Sequence, residues 1–370
     1  MTILQNDKHY MQLALIEARK GEGRTSPNPC VGAVIVKDGR IISKGYHKRA
    51  GTPHAEVNAI NKAAESLVGS TIYVTLEPCN HTGKTPPCTQ SIVENGISRV
   101  VVGMTDPNPL VDGSGIAFLR ENKIEVVAGV LRDECEEIIR PFIKHITQGL
   151  PWVTMKGGIS LDGKINYLKG QSGWITGKQS LNEVHKIRNR VDAILIGSET
   201  VRIDNPSLTT RIQGFKGKDP LRVVIDTRLS LALSSSIFHI ESEASTWVFC
   251  SVDAPEEKMA VLEEQGVVVK IVESSPGGVD LKQVMAALAK ADVCSVLVEG
   301  GARLHGSFLK EKLYDSACLF IAPLFAGDDG VSLVTGYRTH RRSSATRLTD
   351  VSYKRLGDDM MVVGRFKYSA

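Results

Sequence analysis

The sequence predicts two successive α/β domains, and three observations carry that prediction. Its 370 residues are long for one hydrophobic core and comfortable for two. Short β-branched runs alternate with amphipathic stretches through both halves, the order that lays strands beside covering helices. Midway, "DECEEIIRPFIKHITQGLP" reads as a closing helix stopped by Gly-Leu-Pro, which sets a boundary near Gly149 and domains at 1–148 and 149–370.

Taken in order, the first half opens with "HYMQLALIEARKG", where Met11, Leu15 and Ala18 recur near helical spacing and Gly21 is the expected C-terminal cap. "VGAVIVKDG" and "RIISKG" read as strands, joined by Asp38-Gly39, a tight-hairpin signal. Helix "HAEVNAINKAAES", strand "STIYVTLE", helix "CTQSIVENG" and strand "ISRVVVGM" follow, then helix "GSGIAFLRENK" and strand "IEVVAG". One hairpin followed by this alternation implies a sheet with helices on both faces. The second half restarts at "PWVTMKGGISLDGKI" and offers the strands "DAILIG", "LRVVID", "STWVFC", "GVVVKIV", "CSVLVEG", "ACLFIAP" and "MMVVGRF". Between them "GKQSLNEVHKIRNR", "DLKQVMAALAK" and "ARLHGSFLKEK" read as helices, "RIDNP" as a turn and "ESSPGGVD" as loop. The chain shows neither an internal repeat nor a low-complexity tract.

Composition narrows the function. A formal charge of +4 suits a phosphorylated small molecule, but there is no concentrated basic face interleaved with aromatic residues, so nucleic acid is not an expected partner. Seven cysteines (30, 79, 88, 135, 250, 294 and 318) are an odd count in a long chain, unlike a secreted disulfide scaffold. Cys250, Cys294 and Cys318 lie in apolar runs and read as small buried hydrophobes. "MTILQNDKHYMQ" lacks the basic-then-apolar pattern of a signal peptide, and no apolar run approaches a membrane span, which makes the cytoplasm the expected location and a membrane an unexpected partner.

The chemistry is concentrated in "PHAEVNAI" and "TLEPCNHTGKTPPC". Zinc binds Cys thiolate and His nitrogen, and a catalytic zinc keeps one of its four positions for water. His54 opens a helix after Pro53, Glu56 sits on its first turn, Cys79 follows Pro78 at a strand end, and Cys88 opens the next helix after Pro86-Pro87. Helix starts favour thiolates, because free N–H groups and the helix dipole stabilise negative charge. Glu56 is then placed to move protons without ligating the metal. The competing reading is a structural zinc with His81 as fourth ligand. Zinc nucleobase deaminases carry H-x-E…P-C-x-x-C; here eight residues, not two, separate the cysteines, which inserts the loop "NHTGKTPP" beside the metal.

"TSPNPCVGAVIV", "GYHKRAGTPHAEVNAI" and "YVTLEPCNHTGKTPPC" together resemble the deaminase half of the bifunctional riboflavin-biosynthesis deaminase–reductase family. "MKGGISLDGKI", "SGWITG", "GSETVRIDNPSLTTR" and "VEGGARLHGSF" resemble its reductase half, so the resemblance covers nearly the whole chain. It implies a cytidine-deaminase-like three-layer α/β/α domain followed by a dihydrofolate-reductase-like α/β domain. In the first, zinc on His54, Cys79 and Cys88 activates water for attack on the amine-bearing carbon of a phosphoribosylaminopyrimidine, Glu56 carries the proton, and Asn28, His47, His81 and Lys84 face the substrate. Each of those last four also reads plainly as a surface or turn residue.

The second half lacks the G-x-G-x-x-G of a Rossmann dinucleotide site. "VLVEGGARLHGSF" offers instead a strand, Gly300-Gly301 and a helix start suited to a pyrophosphate, although a tight turn alone would also want those glycines. By resemblance, NADPH contacts Gly158, Trp174, Thr200, Asp204, Thr227 and the run Gly301, Ala302, Arg303, Leu304, His305, Gly306 and Ser307. Ser172, Arg188, Leu208, Arg211 and Glu299 contact the substrate, with Arg188 and Arg211 expected on its ribose phosphate. Arg228 is a candidate for the cofactor's extra phosphate or a solvated side chain. The proton donor of the reduction is left unassigned, and a homo-oligomer, dimer or tetramer, is expected. Two other readings remain at this point: a polynucleotide-editing deaminase, and a deaminase with a non-catalytic second half.

Overall fold

The computed structural model describes residues 3–80, 86–108 and 113–369. The chain divides into two compact units, Met1–Gly149 and Leu150–Ala370.

In the first unit the order is α1 (Ile3–Arg19), β1 (Gly32–Lys37), β2 (Arg40–Tyr46), α2 (Ala55–Lys62), β3 (Thr71–Leu76), α3 (Cys88–Glu94), β4 (Arg99–Met104), α4 (Ser114–Glu121), β5 (Glu125–Ala128) and α5 (Arg132–Gln148). Its sheet runs β2-β1-β3-β4-β5. β1 pairs antiparallel with both β2 and β3, and β3, β4 and β5 are parallel. Asp38 and Gly39 both take positive φ (49° and 74°), the hairpin geometry that Asp-Gly favours. Helices α1 and α5 pack on one face and α2, α3 and α4 on the other. Met11, Ala14, Val34, Ile35, Ile72, Val101 and Val102 are fully buried between them.

Gly21 does not cap the first helix: α1 ends at Arg19 and Gly21 does not take a positive φ. Its role is close approach, because a Cβ there would lie 2.7 Å from the His47 carbonyl. Helix α2 is shorter than its sequence pattern, ending where Ala63 turns extended.

The second unit continues with β6 (Trp152–Ile159), α6 (Lys178–Arg188), β7 (Ala193–Gly197), α7 (Ser198–Asp204), β8 (Leu221–Ile225), β9 (Thr246–Ser251), α8 (Glu256–Glu264) and β10 (Val268–Val272). After these come β11 (Ser274–Ser275), β12 (Gly278–Val279), α9 (Leu281–Lys290), β13 (Ser295–Val298), α10 (Ala302–Lys310), β14 (Ser316–Ile321), β15 (Arg347–Leu356) and β16 (Asp359–Lys367). Nine strands form one sheet in the order β10-β9-β8-β7-β13-β6-β14-β16-β15. It is parallel from β10 to β14 and closes with the antiparallel pair β16 and β15. Each unit buries its own apolar clusters.

Four sequence expectations change here. The supposed turn "RIDNP" begins inside α7, which Asn205 terminates in the left-handed region. "ESSPGGVD" contains the small hairpin β11–β12. Helix α8 and strand β15 had no counterpart in the sequence reading; β15 is an edge strand with most of its residues exposed, so it lacks an apolar face to signal it.

Candidate functional site

In the first unit, β3 and the starts of α2 and α3 bring His54, Cys79 and Cys88 together. His54 is the extended N-cap residue of α2 (φ −70°, ψ 172°), which turns its ring off the helix end. Cys88 is the first residue of α3, with Pro87 ahead of it as N-cap. The His54 Nδ1 atom lies 3.4 Å from the sulfur of Cys79 and 3.4 Å from that of Cys88. All three donor atoms lie within 4.8 Å of one another. For tetrahedral zinc, with Zn–S about 2.3 Å and Zn–N about 2.0–2.1 Å, the N···S edge should be roughly 3.6 Å. The donor set therefore fits three corners of such a site.

Glu56 is 3 % exposed on the first turn of α2 and within electrostatic reach of both sulfurs and His54. Burial first, and the negative charge at Cys79 second, push its carboxyl up to about 7. A divalent cation on the three donors would draw it back down. Cys79 is drawn toward the thiolate by hydrogen bonding from Cys88, against the cost of burial, and further by His54.

His47 is buried edge-on to His54, with ring centroids 5.2 Å apart. Its Nδ1–H donates to the Pro53 carbonyl at 3.2 Å, and its Nε2 accepts from the Asn28 amide at 3.2 Å. Burial lowers its pKa, consistent with a neutral ring of one fixed tautomer. Asn28 and His47 thus meet beside the metal donors. His81 and Lys84 lie outside the described residues.

In the second unit Gly301 is the extended N-cap of α10, and the helix start opens on a cavity of about 440 Å³. Thr200, Asp204, Gly301, Ala302 and Arg303 line it together with Asn166 and Gly173. Free N–H groups at a helix start facing a cavity this size fit the pyrophosphate of a dinucleotide. Leu304 and Ser307 face a smaller hollow of about 170 Å³. His305 instead turns into the core, bonded to the Tyr314 hydroxyl at 2.7 Å, and a Cβ on Gly306 would meet the Thr335 carbonyl at 1.7 Å. A helix offers one side to a ligand, so the expected run 301–307 does not face the cavities as a whole. Trp174 is 66 % exposed and Ser172 is exposed near it, while Gly158 packs against Thr176. The Thr227 carbonyl accepts from Ser251.

Arg188 and Glu299, from α6 and the end of β13, form a two-pronged ion pair at 2.7 and 2.8 Å, and Arg188 also donates to the Thr209 carbonyl at 3.2 Å. Their side chains are 10 % and 9 % exposed. Burial would raise the Glu299 carboxyl, but Arg188 and then Lys156 outweigh it and hold it at about 2. Lys156, 3.6 Å from Glu299, is not singled out in the sequence, where it stands unmarked within the stretch "MKGGISLDGKI". Arg211 is exposed and held by the hydroxyls of Ser207 and Thr209, both at 2.9 Å. Leu208 is buried in the core at positive φ (53°), leaving its backbone as the part able to meet a ligand.

Residues 4–104 match the cytidine and deoxycytidylate deaminase zinc-binding region, and residues 151–362 match the RibD C-terminal domain. The riboflavin biosynthesis protein RibD of Aquifex aeolicus is 43% identical over 361 residues, covering 97% of this chain and 98% of that protein. The chain belongs to the RibD family. The Escherichia coli member is 36% identical over 365 residues, 96% of this chain and 98% of its own. The Acinetobacter baumannii RibD structure superposes with a TM-score of 0.87 at 34% identity, covering 98% of this chain and 99% of its own. A Thermotoga maritima diaminohydroxyphosphoribosylaminopyrimidine deaminase/5-amino-6-(5-phosphoribosylamino)uracil reductase gives 0.86 at 37% identity, with 98% and 99% covered. As a RibD protein, the chain is a bifunctional deaminase and reductase of riboflavin biosynthesis, with a deaminase-like α/β unit that takes zinc and an α/β reductase unit that uses NADPH. Among the described residues no helix is long and apolar enough to cross a membrane.

Proposed function

We propose that residues 1–148 hydrolytically deaminate 2,5-diamino-6-(5-phosphoribosylamino)pyrimidin-4(3H)-one, and that residues 149–370 reduce the ribosyl chain of the product, 5-amino-6-(5-phosphoribosylamino)uracil, to ribityl. The observation that carries the first half is the three-donor cluster with buried Glu56 beside it. His54, Cys79 and Cys88 hold the zinc, which when bound supplies an activated water. Glu56 would take one proton from the attacking water to the ring nitrogen and carry the second to the departing amine, which leaves as ammonia. Asn28, oriented by its bond to His47, meets the ring edge, and His81 and Lys84 serve the substrate's polar end.

In the second half the start of α10, with Gly158, Trp174, Thr200, Asp204 and Thr227, holds NADPH, which when bound supplies the hydride. Ser172, Leu208, Arg211 and the Arg188–Glu299 pair form the substrate side. Glu299 is ionised and a guanidinium does not release its proton, so Lys156 is the member of the Lys156–Glu299–Arg188 cluster suited to protonate the reduced group. Arg188 is committed to Glu299, which leaves exposed Arg211 as the phosphate contact. Arg211→Ala is expected to raise the reductase KM for the phosphorylated substrate about ten- to a hundredfold, the worth of one charge-assisted contact, with NADPH affinity unchanged. Weakened NADPH binding in that variant would move Arg211 to the cofactor.

Ammonia release and NADPH absorbance, followed together on the pyrimidine nucleotide, test the whole reading. Ammonia should form without NADPH, and NADPH should be consumed only by the deaminated nucleotide. Cys79→Ser should stop ammonia release yet still reduce the pre-deaminated substrate; loss of both activities in a folded Cys79→Ser protein overturns the two-site reading. A homo-oligomer, dimer or tetramer, is supported by the exposed edge strand β15, where Tyr353 is 69 % exposed. A cytoplasmic location is supported by the absence of any disulfide among the seven cysteines.

A further inference from the structure

The two cysteines come from different elements, and the groups that fix their separation are not ligands. Glu77 follows the end of β3 and is buried, with both carboxylate oxygens engaged. Its Oε1 accepts the backbone N–H of Gly115 at 2.9 Å and of Ile116 at 3.1 Å. Its Oε2 accepts those of Asp106 and Gly113, both at 3.2 Å. One carboxylate thus collects three N–H donors at the start of α4, where negative charge is also favoured by the helix dipole, and a fourth from Asp106 just after β4. The next residue, Pro78, packs so closely there that a Cβ on Gly115 would lie 2.1 Å from its carbonyl. The strand end that carries Cys79 is therefore pinned to α4.

A second set of bonds runs from Cys79 to Cys88. The N–H of Thr89, the residue after Cys88, donates to the Cys79 carbonyl at 3.2 Å, and the Thr89 hydroxyl donates to Asn80 Oδ1 at 2.7 Å. The Asn80 amide in turn reaches the Ser114 carbonyl, on α4, at 3.5 Å. We propose that Glu77 is a positioning residue which, through α4, Asn80 and Thr89, sets the spacing of Cys79 and Cys88 and so governs how tightly the zinc is held. The proposal rests on the reading of His54, Cys79 and Cys88 as zinc ligands. Mutating groups that orient metal ligands typically costs 10–100-fold in affinity or activity. Glutamine at position 77 would turn an amide N–H₂ toward backbone N–H groups that now meet a carboxylate oxygen, and alanine would remove their shared acceptor.

The test uses the full-length protein loaded with zinc or with cobalt. Glu77→Gln and Glu77→Ala should release zinc to a chromophoric chelator about 10–100-fold faster than wild type, with displaced visible bands in the cobalt form. Glu77→Asp and Thr89→Val should shift both readouts less, in the same direction. Deamination kcat should fall with little change in KM, and NADPH-dependent reduction of pre-deaminated substrate should persist as the check on folding. If Glu77→Ala does not fold, Glu77→Gln and Thr89→Val decide. Wild-type release rates and an unaltered cobalt spectrum in those variants overturn the role of Glu77. Absence of thiolate–cobalt absorption in the wild type overturns instead the ligand reading beneath it.

Discussion

Glu56→Gln is expected to slow deamination by about 10²–10⁴-fold, the usual worth of general acid–base catalysis, while the protein keeps its zinc. The argument is positional. His54 turns off the end of α2 toward the two sulfurs, and Glu56, two residues on, is buried beside the same cluster. A buried carboxyl beside the donors, not itself one of the three, is placed to take a proton and give it back. Glutamine preserves size and hydrogen-bonding capacity but cannot transfer a proton. Zinc content and ammonia release, measured on one preparation, separate the alternatives. Retained metal with lost turnover is the expected result; stoichiometric loss of metal would show that Glu56 is a ligand. Reduction of pre-deaminated substrate should be unaffected in either case.

The cluster of His54, Cys79 and Cys88 was legible because metal chemistry restricts residue type and prolines mark the element boundaries: Pro53 and Pro87 ahead of helices, Pro78 just after a strand. The same holds for the Asp38-Gly39 hairpin, where a local backbone requirement selects the residues. What sequence did not reveal depends on partners distant in the chain. Glu77 is an unremarkable acid until Asp106 and the start of α4 supply its donors, 29 to 39 positions on. Lys156 alternates correctly within a strand, and nothing local tells that Glu299 faces it. Arg188 was expected on the substrate phosphate by resemblance, and nothing local shows its ion-pair partner 111 positions away. Strand β15 escaped notice because an exposed edge needs no apolar alternation.

Arg188→Ala is expected to destabilise the second unit by about 3–5 kcal/mol, near the lower end, because truncation leaves a buried carboxylate uncompensated. Lys156 at 3.6 Å is what keeps the cost from the upper end. If Arg188 served only to bind a phosphate, its loss would raise KM and leave stability alone; the bonds at 2.7 and 2.8 Å to Glu299 argue otherwise. The sign of the pH dependence separates the two. In the wild type the Glu299 pKa is depressed from 4.5 to about 2, so its contribution is complete above about 4.5 and is lost as pH falls toward 2. Without Arg188, burial dominates and raises the carboxyl, so acidification from neutrality should narrow the stability gap between variant and wild type by protonating the stranded group. Arg188→Ala combined with Glu299→Gln should recover much of the lost stability at pH 7, because a neutral amide needs no counter-charge, while reduction stays impaired. Urea unfolding of these three proteins across pH 4–8 measures this directly. Wild-type stability in Arg188→Ala, with a raised KM confined to phosphorylated substrate, would return Arg188 to the phosphate.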